Sequence, residues 1–152
     1  MQKNHEKLRA FAKDLRKDYP RSPRELLAGY VIAARVLDKC RAFLAEVLGD
    51  YKFDSAMDRY FFDFTGIEAA AFRDFVATGA SDEEVAAWVL ANARQKDRIE
   101  VIRWNNRMRE TRIGDLPEKM QLFLEDAIPD RVGSWDRVRV WFDLYDIEEK
   151  RV

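Results

Sequence analysis

Three polar residues near the end of the first quarter of the chain have the types and spacing for acid–base chemistry. Arg35, Asp38 and Lys39 fall within about one turn of a predicted helix, opposite the apolar residues Val36 and Cys40. An enzyme without a usable histidine would rely on carboxylate and lysine groups of this kind. Such a face is more often simply solvated, so both interpretations stay open and we predict no specific catalytic residue.

A second polar set interrupts a predicted helix from about Lys96 to Thr111. A helical wheel predicts an apolar arc made by Val101, Trp104 and Met108 on one side and by Ile99 and Ile102 on the other. Asn105 points between them, beside Arg98, Arg109 and Arg112. One interpretation is a pocket for a small anionic ligand, with arginine contacts, an orienting amide and an indole wall. The other is a buried amide that satisfies a backbone group, beside arginines paired with acids.

The counts of cysteine and histidine exclude most familiar catalytic centres. One cysteine, Cys40, and one histidine, His5, cannot form a disulfide, a Cys/His zinc site or a histidine-based triad. There is no glycine-rich phosphate loop. Four hydroxyl residues have an acid three positions later, as helix caps do, and we expect structural roles for them: Ser22, Ser55, Thr65 and Ser81. We expect no metal centre and no cofactor, and an enzyme is the less favoured class.

Length, composition and charge fit one soluble helical domain. The chain has 152 residues, of which 47% are hydrophobic and 36% charged. The net charge of -1 makes nucleic acid an unlikely partner. No secretory h-region and no apolar stretch of about eighteen residues is present, and a lone thiol suits a reducing compartment. We therefore expect a cytoplasmic protein with no membrane partner.

The N-terminal segment predicts an appended basic helix over residues 1–19. Residues 1–24 carry eight basic and three acidic side chains. A narrow apolar seam recurs at helical spacing up to Pro20, which ends the predicted helix: Leu8, Phe11, Ala12, Leu15 and Tyr19. This seam predicts self-association or an unknown protein partner, with weak binding to a phosphate backbone as the poorer alternative.

We predict that residues 20–152 form a single helical domain. The fold class is all-α, an irregular bundle of about seven helices. Only six glycines and four prolines interrupt the chain. The Ser22–Glu25 capping box predicts a helix from Leu26 to Leu48, with a break near Gly29, and the aromatic-rich run 50–64 predicts a packed loop.

The later helices are expected from caps and breakers. Thr65 with Glu68 and Ser81 with Glu84 predict two helix starts, and Pro117 predicts a short helix that stops before Pro129. The tail 134–149 alternates like a strand but also has a helical face. We choose helix because no partner strand is evident.

Separated motifs, in a fixed order, carry a resemblance to one family. They are RSPRELLAGYVIAARVLDKCRAFL (Arg21–Leu44), FFDFTGI (Phe61–Ile67), ASDEEVAAWV (Ala80–Val89) and the Trp104–Asn105 pair. Over residues 20–110 the chain resembles a mainly bacterial family catalogued as domain of unknown function 5069. The resemblance implies no established activity. The family's recurring positions match Ser22, Pro23, Arg24, Glu25, Asp38, Lys39, Thr65, Gly66, Trp104 and Asn105.

Two functions from different classes follow. The first is a non-enzymatic binding or adaptor module of the bacterial cytoplasm. The second is binding, or turnover by carboxylate and lysine chemistry, of a small anionic ligand near Trp104 and Asn105.

Overall fold

The structure, a computed structural model, describes residues 2–94 and 97–152. These residues form eight α-helices, two short 3-10 helices and no strand, which confirms the all-α fold class. The chain divides into two compact units, Met1–Asp97 and Arg98–Val152. The division at residue 20 that the sequence suggests stays a prediction.

The first unit is built around its second helix. The unit contains α1 (Gln2–Phe11), α2 (Ala33–Leu44), α3 (Ala56–Thr65), α4 (Ala69–Val76) and α5 (Asp82–Asn92). α2 contacts α1, α3 and α4, and it is buried on all sides from Ala33 to Ala42. A cluster of aromatic rings, including Phe61, Phe62 and Phe72, forms the core between α3 and α4.

The segment before α2 is irregular, so the predicted helix is wrong from Leu26 to Ile32, while its main part after the break near Gly29 forms as α2. The Ser22 hydroxyl accepts a hydrogen bond from the Arg24 backbone N–H, which makes a turn instead of a helix cap. The backbone N–H of Ile32 donates to the Pro23 carbonyl at 2.8 Å, and Ile32 itself has a φ of 73°. A β-branched residue is strained there, so tertiary contacts must hold this turn. α2 then ends at Leu44 rather than at Gly49.

The first helix is shorter than predicted, because α1 ends at Phe11 and not at Pro20. Residues 12–32, between α1 and α2, form an irregular strap, in which the Leu15 backbone N–H donates to the Val47 carbonyl at 2.9 Å. Leu8 and Leu15 of the predicted seam are both buried. Phe11 and Tyr19 are 43% and 37% exposed, so the seam is only partly used within the first unit.

In the aromatic run 50–64 the predicted loop is correct for residues 50–55 and wrong for residues 56–64, which belong to α3. Ser55 caps α3 through a complete capping box with Asp58. Thr65 ends α3 instead of opening the next helix, because its hydroxyl donates to the Phe61 carbonyl at 2.8 Å. Gly66 follows in the left-handed conformation that suits a helix end.

The predicted start of α5 is confirmed. The Ser81 side chain accepts from the Glu84 backbone, and the Glu84 carboxylate accepts from the Ser81 N–H.

The second unit contains α6 (Arg98–Glu110), α7 (Glu118–Val132) and α8 (Trp141–Glu148), with 3-10 helices at Ile113–Asp115 and Trp135–Arg137. α8 contacts both α6 and α7. The predicted start of α6 at Lys96 lies outside the described residues. α7 continues through Pro129, so the predicted stop before that residue is wrong. In the tail the helix prediction is confirmed for the eight residues of α8.

Candidate functional site

The polar residues predicted on α2 are buried, so their predicted contact with solvent is wrong. Arg35, Asp38 and Lys39 are 2%, 4% and 3% exposed. Charged groups at this depth require ionic and hydrogen-bonding partners. Their partners come from the strap before α2 and from the start of α3, segments that no local sequence pattern places near them.

Asp38 is held by Arg21. The Arg21 Nε and Nη2 atoms donate to Asp38 Oδ2 and Oδ1 at 3.1 and 3.0 Å, and the Arg21 backbone N–H donates to Oδ2 at 2.8 Å. Lys13 Nζ lies 3.9 Å from the same carboxylate. Three N–H bonds from one residue occupy this carboxylate within the chain. This geometry suits an anchor for the strap better than a general base.

Asp82 extends the ion pairs to α5. Its Oδ2 accepts from Arg21 Nη1 and its Oδ1 from Arg41 Nη1, both at 2.8 Å. Burial alone would raise the pKa of Asp82, but the hydrogen bonds from Arg41 and Arg21 outweigh it and lower that pKa. The Arg41 guanidinium also donates to the Ala80 carbonyl and lies 4.8 Å from the ring centroid of Phe11.

Lys39 joins α2 to the start of α3. Its Nζ lies 2.7 Å from Oδ1 of Asp58, which is completely buried, and donates to the Ser55 hydroxyl at 3.0 Å. Asp58 and Ser55 are the two members of the α3 capping box. A lysine held as an ammonium in such a pair is a poor nucleophile. Its contacts favour a structural role.

Arg35 completes the cluster. Its Nη1 donates to the Arg21 carbonyl at 3.2 Å, and its guanidinium lies 5.6 Å from the ring centroid of Tyr51. The three predicted α2 residues are thus brought together with Arg21, Arg41, Asp58 and Asp82 into one charge cluster, which is buried except at Arg21 and Asp82, whose side chains are 21% and 38% exposed.

The α6 residues lie in the other unit and are described separately from the α2 cluster. Trp104 and Asn105 are each 5% exposed and, with Met108, form the buried side of α6. Arg98 is exposed, and Arg109 Nη1 donates to the neighbouring Asn106 side chain at 3.0 Å. The structure therefore places the predicted amide and indole together inside the unit, with the two arginines at its surface.

The predicted apolar arc of α6 is only partly correct. Ile99 and Ile102 were expected to flank its buried side, but they are 49% and 36% exposed. The buried side is centred on Trp104 and Met108, so the isoleucines lie on the solvent side of the helix.

Cys40 shows no sign of a reactive thiol. It is completely buried on α2, and burial raises the pKa of its thiol well above the usual range. Buried neutral thiols of this kind behave as small apolar side chains.

A cavity of about 380 Å³ lies beside the strap. It is lined by Arg9, Ala12, Asp14, Ala45, Glu46 and Val47. A hydrogen bond from the Arg16 side chain lowers the pKa of Asp14 to about 2. The charged residues that line the cavity are of both signs, and none of the residues predicted to bind a ligand lines it.

The sequence reasoning missed four members of the α2 cluster: Arg21, Arg41, Asp58 and Asp82. The Ser55–Asp58 spacing indicated a cap and could have placed Asp58 at a helix start. The partners of Arg21 lie 17 and 61 positions away, so no local pattern indicates them.

Together these features define an all-α protein with a buried charge cluster in one unit and a buried indole–amide pair in the other. The chain belongs to the family described as Domain of unknown function (DUF5069), whose sequence profile matches residues 17–151. The match extends beyond residues 20–110, where the motifs carry the resemblance. A comparison with curated proteins finds no significant match. Among the described residues, no helix is long and apolar enough to cross a membrane.

Proposed function

We propose that the chain is a non-enzymatic binding or adaptor module that contacts its partner through the second unit. One observation carries the proposal: Leu122 and Phe123, adjacent on α7, are 67% and 60% exposed. Adjacent large apolar side chains in water are typical of protein contact surfaces, where an aromatic ring often supplies the main anchor.

The α2 cluster supports this choice over catalysis. Asp38 and Lys39 are the residues that acid–base chemistry would use, and both are engaged in short ionic contacts within the chain. We also propose the bacterial cytoplasm as the setting, since a single buried thiol suits a reducing compartment.

Self-association through the N-terminal seam has less support than it had from the sequence. Leu8 and Leu15 are buried in the first unit, and Phe11 contacts Arg41. A partner surface on α7 does not require these residues.

A small anionic ligand near Trp104 and Asn105 remains the second proposal. The exposed Arg98 would supply its charge contact. Because the indole and amide are already buried, such a ligand would have to bind at the edge of α6 or displace packed side chains.

The test is affinity purification of the tagged full chain from its own cells. The double variant Leu122→Ser/Phe123→Ser should lose co-purified proteins that the unmodified chain retains. Leu90→Ser is the matched control, since Leu90 is 63% exposed but lies on α5 of the first unit. Equal recovery of the same proteins with all three chains would contradict the proposal.

A further inference from the structure

The exposed side of α6 is apolar at its centre and basic around it. Ile99 and Ile102 are exposed and lie opposite the buried Trp104 and Met108. α6 carries four arginines, at positions 98, 103, 107 and 109, and two acids, Glu100 and Glu110. By helical geometry, Arg103 lies four residues from Ile99 on the same exposed side.

The exposed side of α7 also combines large apolar side chains with charged ones, here mostly acidic. Leu122 and Phe123 are exposed, and Leu124, Ile128 and Val132 form the buried side. α7 carries four acids, Glu118, Glu125, Asp126 and Asp130, and two bases, Lys119 and Arg131. Asp126 and Asp130 are exposed and lie opposite the buried side, between the directions of Leu122 and Phe123.

We infer that the partner of this surface is a second copy of the chain, with α6 of one copy docked on α7 of the other. This inference rests on the proposed function. The two faces complement each other: each combines two large apolar side chains with charged ones, and the whole helices carry a surplus of two positive charges on α6 and of two negative charges on α7. Charge complementarity of this kind selects the partner and its orientation.

Two-fold symmetry favours this pairing over binding to an unrelated protein, because it would use both faces of each copy. If a two-fold axis relates the copies, α6 of each meets α7 of the other, and the contact forms twice. Within the described part of the chain, neither Arg103 nor Asp126 takes part in an ion pair, so both are available for contact across the axis.

The test is sedimentation equilibrium of the full chain over a concentration series. The unmodified chain should associate, and Arg103→Glu or Asp126→Arg alone should raise the dissociation constant at least about tenfold through like-charge contacts. An equimolar mixture of the two variants should restore association. In the mixed pair, one contact has exchanged charges and the other has the original residues.

Two controls make the result specific. Far-UV circular dichroism should show unchanged helix content in both variants. The pair Arg139→Glu and Asp74→Arg makes the same changes of net charge at other exposed positions, and each of these variants alone should associate like the unmodified chain.

A chain that stays monomeric at every concentration would overturn the inference. So would single variants that associate normally, or a mixture that fails to associate. If the chain is monomeric but the α7 double variant still loses a co-purified protein of different mass, the second-copy inference fails while the proposed function stands.

Discussion

Arg21 and Asp38 form a two-point ion pair, 3.1 and 3.0 Å long, that fixes the strap before α2 onto the buried centre of the first unit. The Arg21 backbone N–H adds a third bond to the same carboxylate. Paired N–H donors suit a carboxylate, and loss of either partner would leave a buried charge or donor unsatisfied. The pair therefore explains why charged residues occupy the middle of a buried helix.

Asp38→Ala should destabilise the protein by about 1–3 kcal/mol, because the Arg21 backbone N–H, Nε and Nη2 lose their acceptor while Nη1 keeps Asp82. Urea unfolding gives the measurement. Asp63→Ala is the control: Asp63 lies 2.8 Å from Arg59, but its side chain is 70% exposed, so it should cost about 1 kcal/mol or less. Similar losses for the two variants would contradict a structural role for the buried pair.

Protonation of Asp82 should lower the free energy of unfolding in acid. Its pKa in the folded state is lowered from 3.8, so its ionised form favours folding. This stabilisation is fully present above the ordinary value of 3.8 and is lost as the pH falls through the lowered folded pKa. The difference in unfolding free energy between the unmodified chain and Asp82→Asn should shrink over that acidic window. A difference that is constant with pH would refute the assignment.

Gly49→Ala should cost more stability than Gly133→Ala. Both glycines have positive φ, 63° and 80°, so an alanine is strained by about 1–2 kcal/mol at either position. At Gly49 a Cβ would also lie 2.9 Å from the Leu15 carbonyl oxygen, whereas at Gly133 no atom lies within 4 Å. Overpacking should add about 1–3 kcal/mol at Gly49. Equal thermal and urea stabilities would mean that the strap does not pack closely there.

Asn105→Ala should lower stability by about 1–3 kcal/mol, because the amide is buried and its loss leaves a polar partner unsatisfied. Arg98→Ala, at an exposed position of the same helix, should change stability by less than about 0.5 kcal/mol. A stable Asn105→Ala variant that loses a thermal shift induced by an anionic metabolite would instead support the ligand pocket.

Much of the fold can be predicted from local sequence. The Ser81–Glu84 spacing places the start of α5 correctly because a capping box is made by residues three apart. The same spacing misleads at Thr65, whose hydroxyl bonds back to the Phe61 carbonyl at the end of a helix. Pro129 misleads too. It has no backbone N–H to donate and therefore predicts a helix end, but it lies close to the end of α7, where Ile128 and Val132 extend the buried side.

The candidate site is less predictable because its partners are distant in sequence. The types and positions of Arg35, Asp38 and Lys39 indicate a polar face, but its burial depends on contacts from the strap and α3. The turn at Ile32 has a conformation that β-branched residues rarely adopt, so propensity argues against it. Tertiary structure determines both features.

Photo-crosslinking most directly tests whether the chain binds a partner through the exposed apolar side chains of α7. A photoreactive phenylalanine analogue replaces Phe123 in the full chain in its own cells, and the same analogue replaces Asp74, whose side chain is 76% exposed on α4, as the control. We predict a discrete adduct from position 123 and none from position 74, with twice the mass of the chain if the partner is a second copy. No adduct from position 123, or the same adducts from both positions, would contradict the account.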